Sequence, residues 1–352
     1  MKKHILYLSF LASVFFTACD LDSFSQVVEF EIPDEKPRLS VNCEYVNNTD
    51  SIQVFVSKSW NTNKDINSTL VNNAIVELWD DAQKIVTVPY RLEQKYYGQN
   101  GQATVGSQSY YSIKVPKSLD ADKIYTLKVS APGLESVEAK CGMPKLIKIN
   151  KATYTKKGFK PKNSGGFGGG GGIANNIDLI AVEFDDVPNE TNYYVLKMVK
   201  TLKDTVTNKI YYSQDAFRIN QTFSSAATNI FDEGDYVYGG NFNFTDEIFD
   251  GKKFVFRIGV DNDNSFSYNL TDKDGNYASI SWTEIEKLKI EGYDITLYNQ
   301  SKERYYFANS LNTFYENDGN PFGEPIPLYT NFDKGFGLFS LFEVSNVYVK
   351  KK

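Results

Sequence analysis

"SIQVFVSKS", residues 51–59, shows the pattern that decides the fold of this chain. Ile52, Val54 and Val56 alternate with polar residues, and alternation with a period of two places the apolar side chains on one face of a β-strand. Similar short segments recur along the 352 residues and are separated by turn residues such as Asp80–Asp81 and Pro132–Gly133. The sequence therefore predicts a mainly all-β protein.

The predicted strands fall into two blocks. Residues 38–144 contain "NAIVELWDD", "YYSIKVPK" and "IYTLKVSAPG", an order that resembles transthyretin-like sandwiches and predicts a first domain of the transthyretin/immunoglobulin type. Residues 145–352 contain "LIKINKATYT", "IDLIAVEFDD" and "NYYVLKMVKTL", which predict a larger second β domain. We expect two tandem β-sandwich domains, an architecture that by itself specifies no activity.

One helix is predicted near residues 302–317, within the second domain. Asn299 or Ser301 can cap it, and Glu303 lies in the first turn, where the helix dipole favours an acid. Its docking face is predicted from apolar residues at helical spacing, namely Phe307, Leu311, Phe314 and Tyr315.

The first residues have the layout of an export signal. Lys2 and Lys3 precede an apolar run, Ile5–Phe16, that is too short for a membrane span, which needs about 20 residues. Small residues and Cys19 follow, as in the lipobox of bacterial lipoproteins, where the cysteine sulfur carries diacylglycerol. We expect residues 1–18 to be a signal peptide and Cys19 to be lipidated; the alternative is an ordinary secreted protein with an unpaired cysteine.

An acidic tether is expected at residues 19–37, because this polar segment contains two prolines and few groups that could pack. Acidic residues behind a lipidated cysteine resemble surface-export signals of some bacteria with two membranes. The expected location is the outer membrane, with the body facing the cell surface; a periplasmic orientation is the alternative. The membrane is thus an expected partner through the lipid.

Composition excludes several classes of function. The net charge of −6 becomes more negative still once the signal and its two lysines are removed, so neither nucleic acid nor an anionic lipid surface is an expected partner. The single histidine is His4, within the signal. Catalysis that depends on imidazole is excluded for the mature chain, no cofactor is expected, and the remaining chemistry would use carboxylate pairs, a Ser–Lys pair or calcium.

Cys43 and Cys141 lie on the apolar faces of predicted strands at the two ends of the first block. The first and last strands of a sandwich often lie close together, and the expected compartment is oxidising. A Cys43–Cys141 disulfide and two buried free thiols are therefore both open.

Two motifs resemble ligand sites only in part. In the Gly-rich loop, residues 158–176, Gly166, Gly168 and Gly171 satisfy G-x-G-x-x-G, but a strand rather than a helix follows, which favours a flexible loop. Asp261 and Asp263 imitate the start of an EF-hand, but positions 6 and 12 of that loop do not fit. A looser calcium site at these two aspartates and a solvated turn remain as alternatives.

Aromatic residues make up 15% of the chain and include the cluster "YVYGGNFNF", residues 236–244. Tyr236, Tyr238 and Phe242 are candidates for cargo contact in a cleft. The alternative is that they belong to the core, since strands are enriched in such residues.

The chain resembles a family of bacterial outer-membrane lipoproteins labelled domain of unknown function 4249 over nearly its whole mature length. The resemblance is carried, in order, by "DEKPRLSVNCEYV", "VNNAIVELWDD", "FDDVPNETNYYVLKM", "FTDEIFDGKKF" and "GNPFGEPIPLYTNFDKGFGLFSLF". It implies a lipid-anchored β protein of two domains, often encoded beside TonB-dependent outer-membrane receptors. It brings no catalytic residues, and neither the two cysteines nor the glycine loop inherits a role from it.

Three functions are compatible with these features. The first is a non-enzymatic lipoprotein that assists a TonB-dependent transporter by capturing cargo or covering the mouth of the barrel. The second is a carboxylate-based surface hydrolase that acts on glycans, and the third is a structural adhesin or envelope assembly component. The sequence favours the first.

Overall fold

The structure is a computed structural model, and it confirms the all-β class. It describes residues 36–352 except 50, 60–68, 100–101, 161–176, 215–216, 220–222, 225–229, 232–235, 238–240, 261–269, 277, 279 and 318–325. Among the described residues, no helix is both long and apolar enough to cross a bilayer.

The strands, in chain order, are β1 (Leu39–Val46), β2 (Ile52–Lys58), β3 (Ile75–Asp80), β4 (Gln83–Thr87), β5 (Tyr90–Gln99), β6 (Gln102–Ile113), β7 (Ile124–Ser130), β8 (Val137–Gly142), β9 (Ile149–Phe159), β10 (Ile177–Asp185), β11 (Tyr193–Asp204), β12 (Ile210–Ser213), β13 (Phe217–Ile219), β14 (Phe223–Ser224), β15 (Ile230–Phe231), β16 (Tyr236–Val237), β17 (Asn241–Thr245), β18 (Lys253–Val260), β19 (Leu270–Thr271), β20 (Leu288–Gln300) and β21 (Phe336–Lys350). The helices are α1 (Trp282–Ile285) and α2 (Lys302–Asn317).

One ten-stranded sheet runs through both halves of the chain. Its order is β19-β12-β11-β20-β21-β1-β2-β6-β5, and β17 pairs with β11 beside this path. A four-stranded sheet, β4-β3-β7-β8, belongs to the N-terminal half, and a five-stranded sheet, β16-β13-β18-β10-β9, belongs to the C-terminal half. Strands β14 and β15 form a separate pair.

The last strand joins the two halves. Strand β21 pairs in parallel with β1, where Cys43 lies opposite Phe339, and antiparallel with β20. Gly337 permits this pairing: its φ is +102°, and a Cβ atom there would lie 2.0 Å from the Val41 carbonyl oxygen. Only glycine adopts that backbone without strain and leaves room for the neighbouring strand.

The described residues form two large hydrophobic cores and a small third cluster of Leu202, Tyr211, Leu270 and Leu288. The first lies between the N-terminal strands of the large sheet and the four-stranded sheet, and it also includes Phe332, Phe339 and Leu341 from the C-terminal end. The second is rich in aromatic residues and lies between β10, β11, β17, β18 and β20. Pro37–Lys352 forms one compact unit. The expected boundary at residue 144/145 thus separates most residues of the first core from those of the second. The ten-stranded sheet nevertheless continues across this boundary, and strand β21 contributes Phe339 and Leu341 to the first core.

Helix α2 occupies the predicted range, but the prediction of its buried face is wrong. The buried residues are Glu303, Tyr305 and Ala308, whereas Tyr315 is 64% and Phe314 40% exposed. Phe307 and Leu311 are only partly buried. The fully buried residues of the helix all lie in its first two turns, and a stripe counted over its whole length selects the wrong side. The short helix α1 was not predicted. Its sequence signal is a capping box, in which the Ser281 N–H donates to Glu284 Oε2 at 2.9 Å.

Candidate functional site

Several residues singled out in the sequence lie outside the described residues. These are the lipidation candidate Cys19, the calcium candidates Asp261 and Asp263, the cargo candidate Tyr238 and residues 161–176 of the glycine loop. The first two loop residues end strand β9, and Tyr236 belongs to strand β16. The predictions for Cys19, Asp261 and Asp263 stay predictions.

Phe242 is not a cargo contact. Its side chain is 2% exposed and belongs to the second core, where its ring centroid lies 5.6 Å from that of Phe244 and 5.8 Å from that of Phe256. Strand β17 pairs with β11, with Phe242 opposite the buried Leu196. The alternation of the strand turns this ring inward, so the core alternative describes it correctly.

Cys43 and Cys141 are free thiols, and the disulfide left open by the sequence is not formed. Both belong to the first core. Burial raises the pKa of both thiols well above the ordinary value, and the neighbouring Glu303 carboxylate raises that of Cys141 further. The Sγ atom of Cys141 lies 3.6 Å from Glu303 Oε2. Buried protonated thiols of this kind act as small apolar groups.

A pocket of about 270 Å³ lies where the chain enters helix α2, and we call it the α2 pocket. Its walls come from both halves of the molecule: the ends of the β7–β8 hairpin, the turn between β10 and β11, and the junction of β20 with α2. The lining residues are Asp122, Lys123, Ile124, Gly142, Met143, Pro144, Lys145, Glu190, Thr191, Asn192, Tyr193, Asn299, Gln300, Ser301, Lys302 and Glu303.

Three buried amides in the wall of the α2 pocket have an oxygen without a hydrogen-bond partner among the described residues. They are Asn192 Oδ1, Asn299 Oδ1 and Gln300 Oε1, on side chains of residues that are 5%, 2% and 1% exposed. Buried polar atoms in folded proteins are nearly always partnered, and an exception calls for an explanation such as an ion, a water molecule or a ligand. These oxygens are closed off from solvent and lie behind the surface of the pocket, so the candidate site is the pocket itself.

Hydrogen bonds fix which way these amides point. The Asn299 amide nitrogen donates to the Lys145 carbonyl oxygen at 3.0 Å, and that of Asn192 donates to Glu190 Oε1 at 3.2 Å. Rotating either amide by half a turn would place its oxygen against another acceptor. The Gln300 nitrogen likewise donates to Asn243 Oδ1 at 3.2 Å. The unpartnered atoms are thus acceptors.

An acidic group beside the pocket holds Asn192 in place. Carboxylate oxygens of Asp186, Asp246 and Asp250 lie within 4.8 Å of one another. Asp246 Oδ2 accepts the Asn192 backbone N–H at 2.7 Å, and Asp186 accepts the Tyr194 hydroxyl and, at 2.7 Å, the Gly251 N–H.

This group orients the turns rather than opening into the pocket. Burial raises the pKa of Asp246 to about 6, with a further contribution from Asp186, and burial also raises the pKa of Asp186. None of the three aspartates lines the α2 pocket. Backbone N–H groups and the Tyr194 hydroxyl already donate hydrogen bonds to several of their oxygens. We infer that these three residues, which we call the aspartate cluster, join the turn before β11 to the turn after β17.

The charges around the α2 pocket balance. Lys145 Nζ lies 2.7 Å from Glu190 Oε2 and 3.5 Å from Asp122 Oδ1. The lining contains three lysines and three carboxylic acids. An aromatic ring is also present, since Tyr193 packs on Tyr305 and Tyr306 with centroid distances of 4.9 and 6.2 Å.

The amides were missed in the sequence because a buried asparagine has no local signature. A signal was nevertheless present, because two of the segments that carry the family resemblance contain residues of this region. Asn192 lies in "FDDVPNETNYYVLKM" and Asp246 in "FTDEIFDGKKF". These segments are distant in sequence and meet at the aspartate cluster, where Asp246 accepts the Asn192 backbone N–H.

Neither a curated protein nor a solved structure matches the chain. A family model described as "Domain of unknown function (DUF4249)" matches residues 26–347. Since this match covers nearly the entire sequence, the chain belongs to the DUF4249 family.

Proposed function

We propose that this protein is a lipid-anchored, non-enzymatic binding protein of the outer membrane that assists a TonB-dependent transporter, by capturing cargo or covering the mouth of the barrel. The observation that carries the binding role is the α2 pocket, a cavity of about 270 Å³ that both halves of the chain line. The lipobox at Cys19 supports the anchor, and the family resemblance supports the transporter as partner.

The contents of the α2 pocket favour binding over hydrolysis. Glycoside hydrolysis needs two carboxyl groups across a cleft, about 5–5.5 Å or about 6.5–9.5 Å apart according to mechanism. The compact aspartate group lies outside the pocket lining and is bound to backbone and tyrosine donors. Within the pocket, Glu190 is paired with Lys145 and Glu303 contacts the Cys141 thiol.

The lipid anchor is tested by replacing Cys19, the residue whose sulfur would carry the lipid. Wild-type protein should partition with membranes and carry an acylated N-terminal cysteine by mass spectrometry, whereas Cys19→Ala should be released. An unmodified wild-type N-terminus, or equal membrane partition of the variant, would contradict the anchor.

The partner is tested by affinity purification after mild detergent extraction, from cells that also express the genomic neighbours. We expect an outer-membrane barrel to be recovered with the wild-type protein. The matched control is a tagged lipoprotein of unrelated sequence from the same cells, which should not recover it. Recovery of this protein alone would overturn the transporter role.

A further inference from the structure

We propose that two copies of this chain pair through strand β5, with the two strands antiparallel about a two-fold axis at Leu92. This surface is separate from the site of the proposed function, because no residue of β5 lines the α2 pocket. Strand β5 ends the ten-stranded sheet, and in the described part of the chain it pairs with β6 alone. Its outer edge therefore carries backbone groups to which a further strand can bond.

The β5–β6 hairpin lacks the support that the rest of the sheet has. All ten residues of β5 pair with β6, but β2 pairs only with the last three residues of β6, Tyr111–Ile113. Beyond that point the described residues of the hairpin form a ribbon of two strands. A two-stranded ribbon is marginally stable in water, and independent stability needs three or more strands. Two copies joined at β5 provide a ribbon of four strands.

The backbone of β5 presents Leu92 to the open edge. The Ser112 N–H donates to the Pro89 carbonyl oxygen at 2.9 Å, and hydrogen-bonded pairs alternate along an antiparallel ladder. The N–H and C=O groups of Arg91 and Glu93 therefore face β6, whereas those of Leu92 face away from it. A two-fold axis at this residue makes the two leucines a hydrogen-bonded pair across the interface.

The charges on β5 select this axis among its neighbours. Arg91 and Glu93 lie two residues apart on one face of the strand, and both are exposed. About an axis at Leu92, each arginine lies opposite the glutamate of the second copy, so the interface contains two pairs of opposite charge. An axis at Arg91 or at Glu93 places like charges opposite each other, which destabilises a ladder. The strand is thus complementary to itself, as an isologous interface requires.

The side chains that this pairing needs are available. The Arg91 guanidinium makes no ion pair or hydrogen bond with a described residue. Glu93 Oε2 accepts the Tyr110 hydroxyl at 2.9 Å, and Oε1 has no hydrogen-bond partner in the described ranges. Leu92 lies on the opposite face of the strand and is 64% exposed. Contact between the two leucines at the axis covers apolar surface that a single copy leaves in water.

Charge reversal tests the pairing on the full-length chain, purified in detergent with micelles in excess over protein. Sedimentation velocity over a range of concentrations should find a dimer. Arg91→Glu and Glu93→Arg each set like charges opposite each other, and each should raise the Kd of the dimer about tenfold. The double variant restores opposite charges and should recover the wild-type Kd. Arg257→Glu, at an exposed position on β18, is the matched control and should leave Kd unchanged.

Cross-linking tests the position of the axis. Leu92→Cys sets two thiols opposite each other, where the Cα atoms of a hydrogen-bonded pair lie about 5.5 Å apart, a distance that a disulfide spans. Mild oxidation of cells that produce this variant should give a covalent dimer on non-reducing gels. Leu70→Cys is the matched control, because Leu70 is exposed to a similar extent, 61%, and it should stay monomeric.

Each result supports or overturns the dimer. A monomer at every concentration, a dimer that neither single reversal weakens, or a double variant that fails to recover the wild-type Kd would overturn it. Cross-linking of Leu92→Cys no stronger than that of Leu70→Cys would overturn the axis. Cross-linking of Leu92→Cys to a different protein would show that the edge of β5 receives another partner instead of a second copy.

Discussion

Two groups of buried amides in this protein resemble each other in burial and differ in hydrogen bonding. Asn47, at the end of strand β1, is 3% exposed and has every polar atom of its side chain engaged. Its nitrogen donates to the Leu119 carbonyl at 3.0 Å and to Glu343 Oε1 at 2.5 Å. Its oxygen accepts the Leu119 N–H at 3.0 Å and the Ser118 hydroxyl at 3.3 Å.

The amides of the α2 pocket are as deeply buried but only half engaged. Asn192, Asn299 and Gln300 donate through nitrogen, and their oxygens have no partner in the described part of the chain. A fully satisfied buried network fixes a structure, whereas a half-satisfied one is destabilising unless something completes it. The comparison therefore distinguishes an amide that stabilises the fold through all its polar atoms from amides whose oxygens the fold leaves without a partner among the described residues.

The largest effect is expected at Asn47. Asn47→Leu removes its hydrogen bonds and leaves the Leu119 backbone groups and the Glu343 carboxylate buried without them, so the free energy of unfolding should fall by about 4 kcal/mol. Urea denaturation followed by tryptophan fluorescence measures it. Asn346→Leu, the exposed control, should change stability by less than about 0.5 kcal/mol. A loss at Asn47 no larger than at the control would show that full engagement does not make an amide structural.

The sequence identified the elements far better than their partners. Alternating residues such as Ile52, Val54 and Val56 report the strand and its buried face locally, and the range of helix α2 followed from its cap and its acidic first turn. The parallel pairing of β1 with β21 brings together residues nearly 300 positions apart, and nothing local in either strand specifies it. The same limit applies to the site, since Asn47 and Asn299 differ only in what surrounds them.

An intermediate effect is expected from Asp246, the acid that holds Asn192. Its pKa of about 6 in the folded protein lies above the value of about 3.9 for an unfolded chain. Between these values the folded state binds more protons, so the stability it contributes is present at low pH and is lost as the pH rises through about 6. Asp246→Asn should flatten this dependence and raise stability at neutral pH by about 1 kcal/mol, less than the full pKa shift would give because solvent screens the charge.

Urea denaturation at a series of pH values measures this slope. Asp250→Asn is the matched control, because Asp250 belongs to the same group but is exposed, and it should change the slope less. Part of the wild-type slope should survive in Asp246→Asn, since burial also raises the pKa of Asp186. An unchanged slope would mean that the carboxyl of Asp246 is not the group that titrates.

The smallest effect on stability is expected at the pocket itself, where the comparison becomes sharpest. Gln300→Met removes an oxygen that has no partner in the described part of the chain, together with one nitrogen that donates to Asn243. Losing the donor costs about 1 kcal/mol, and relieving an unpartnered buried oxygen offsets a similar amount. Urea denaturation without ligand should therefore find a net change within about 0.5 kcal/mol. A loss as large as that of Asn47→Leu would mean that the Gln300 oxygen has a hydrogen-bond partner in the folded protein.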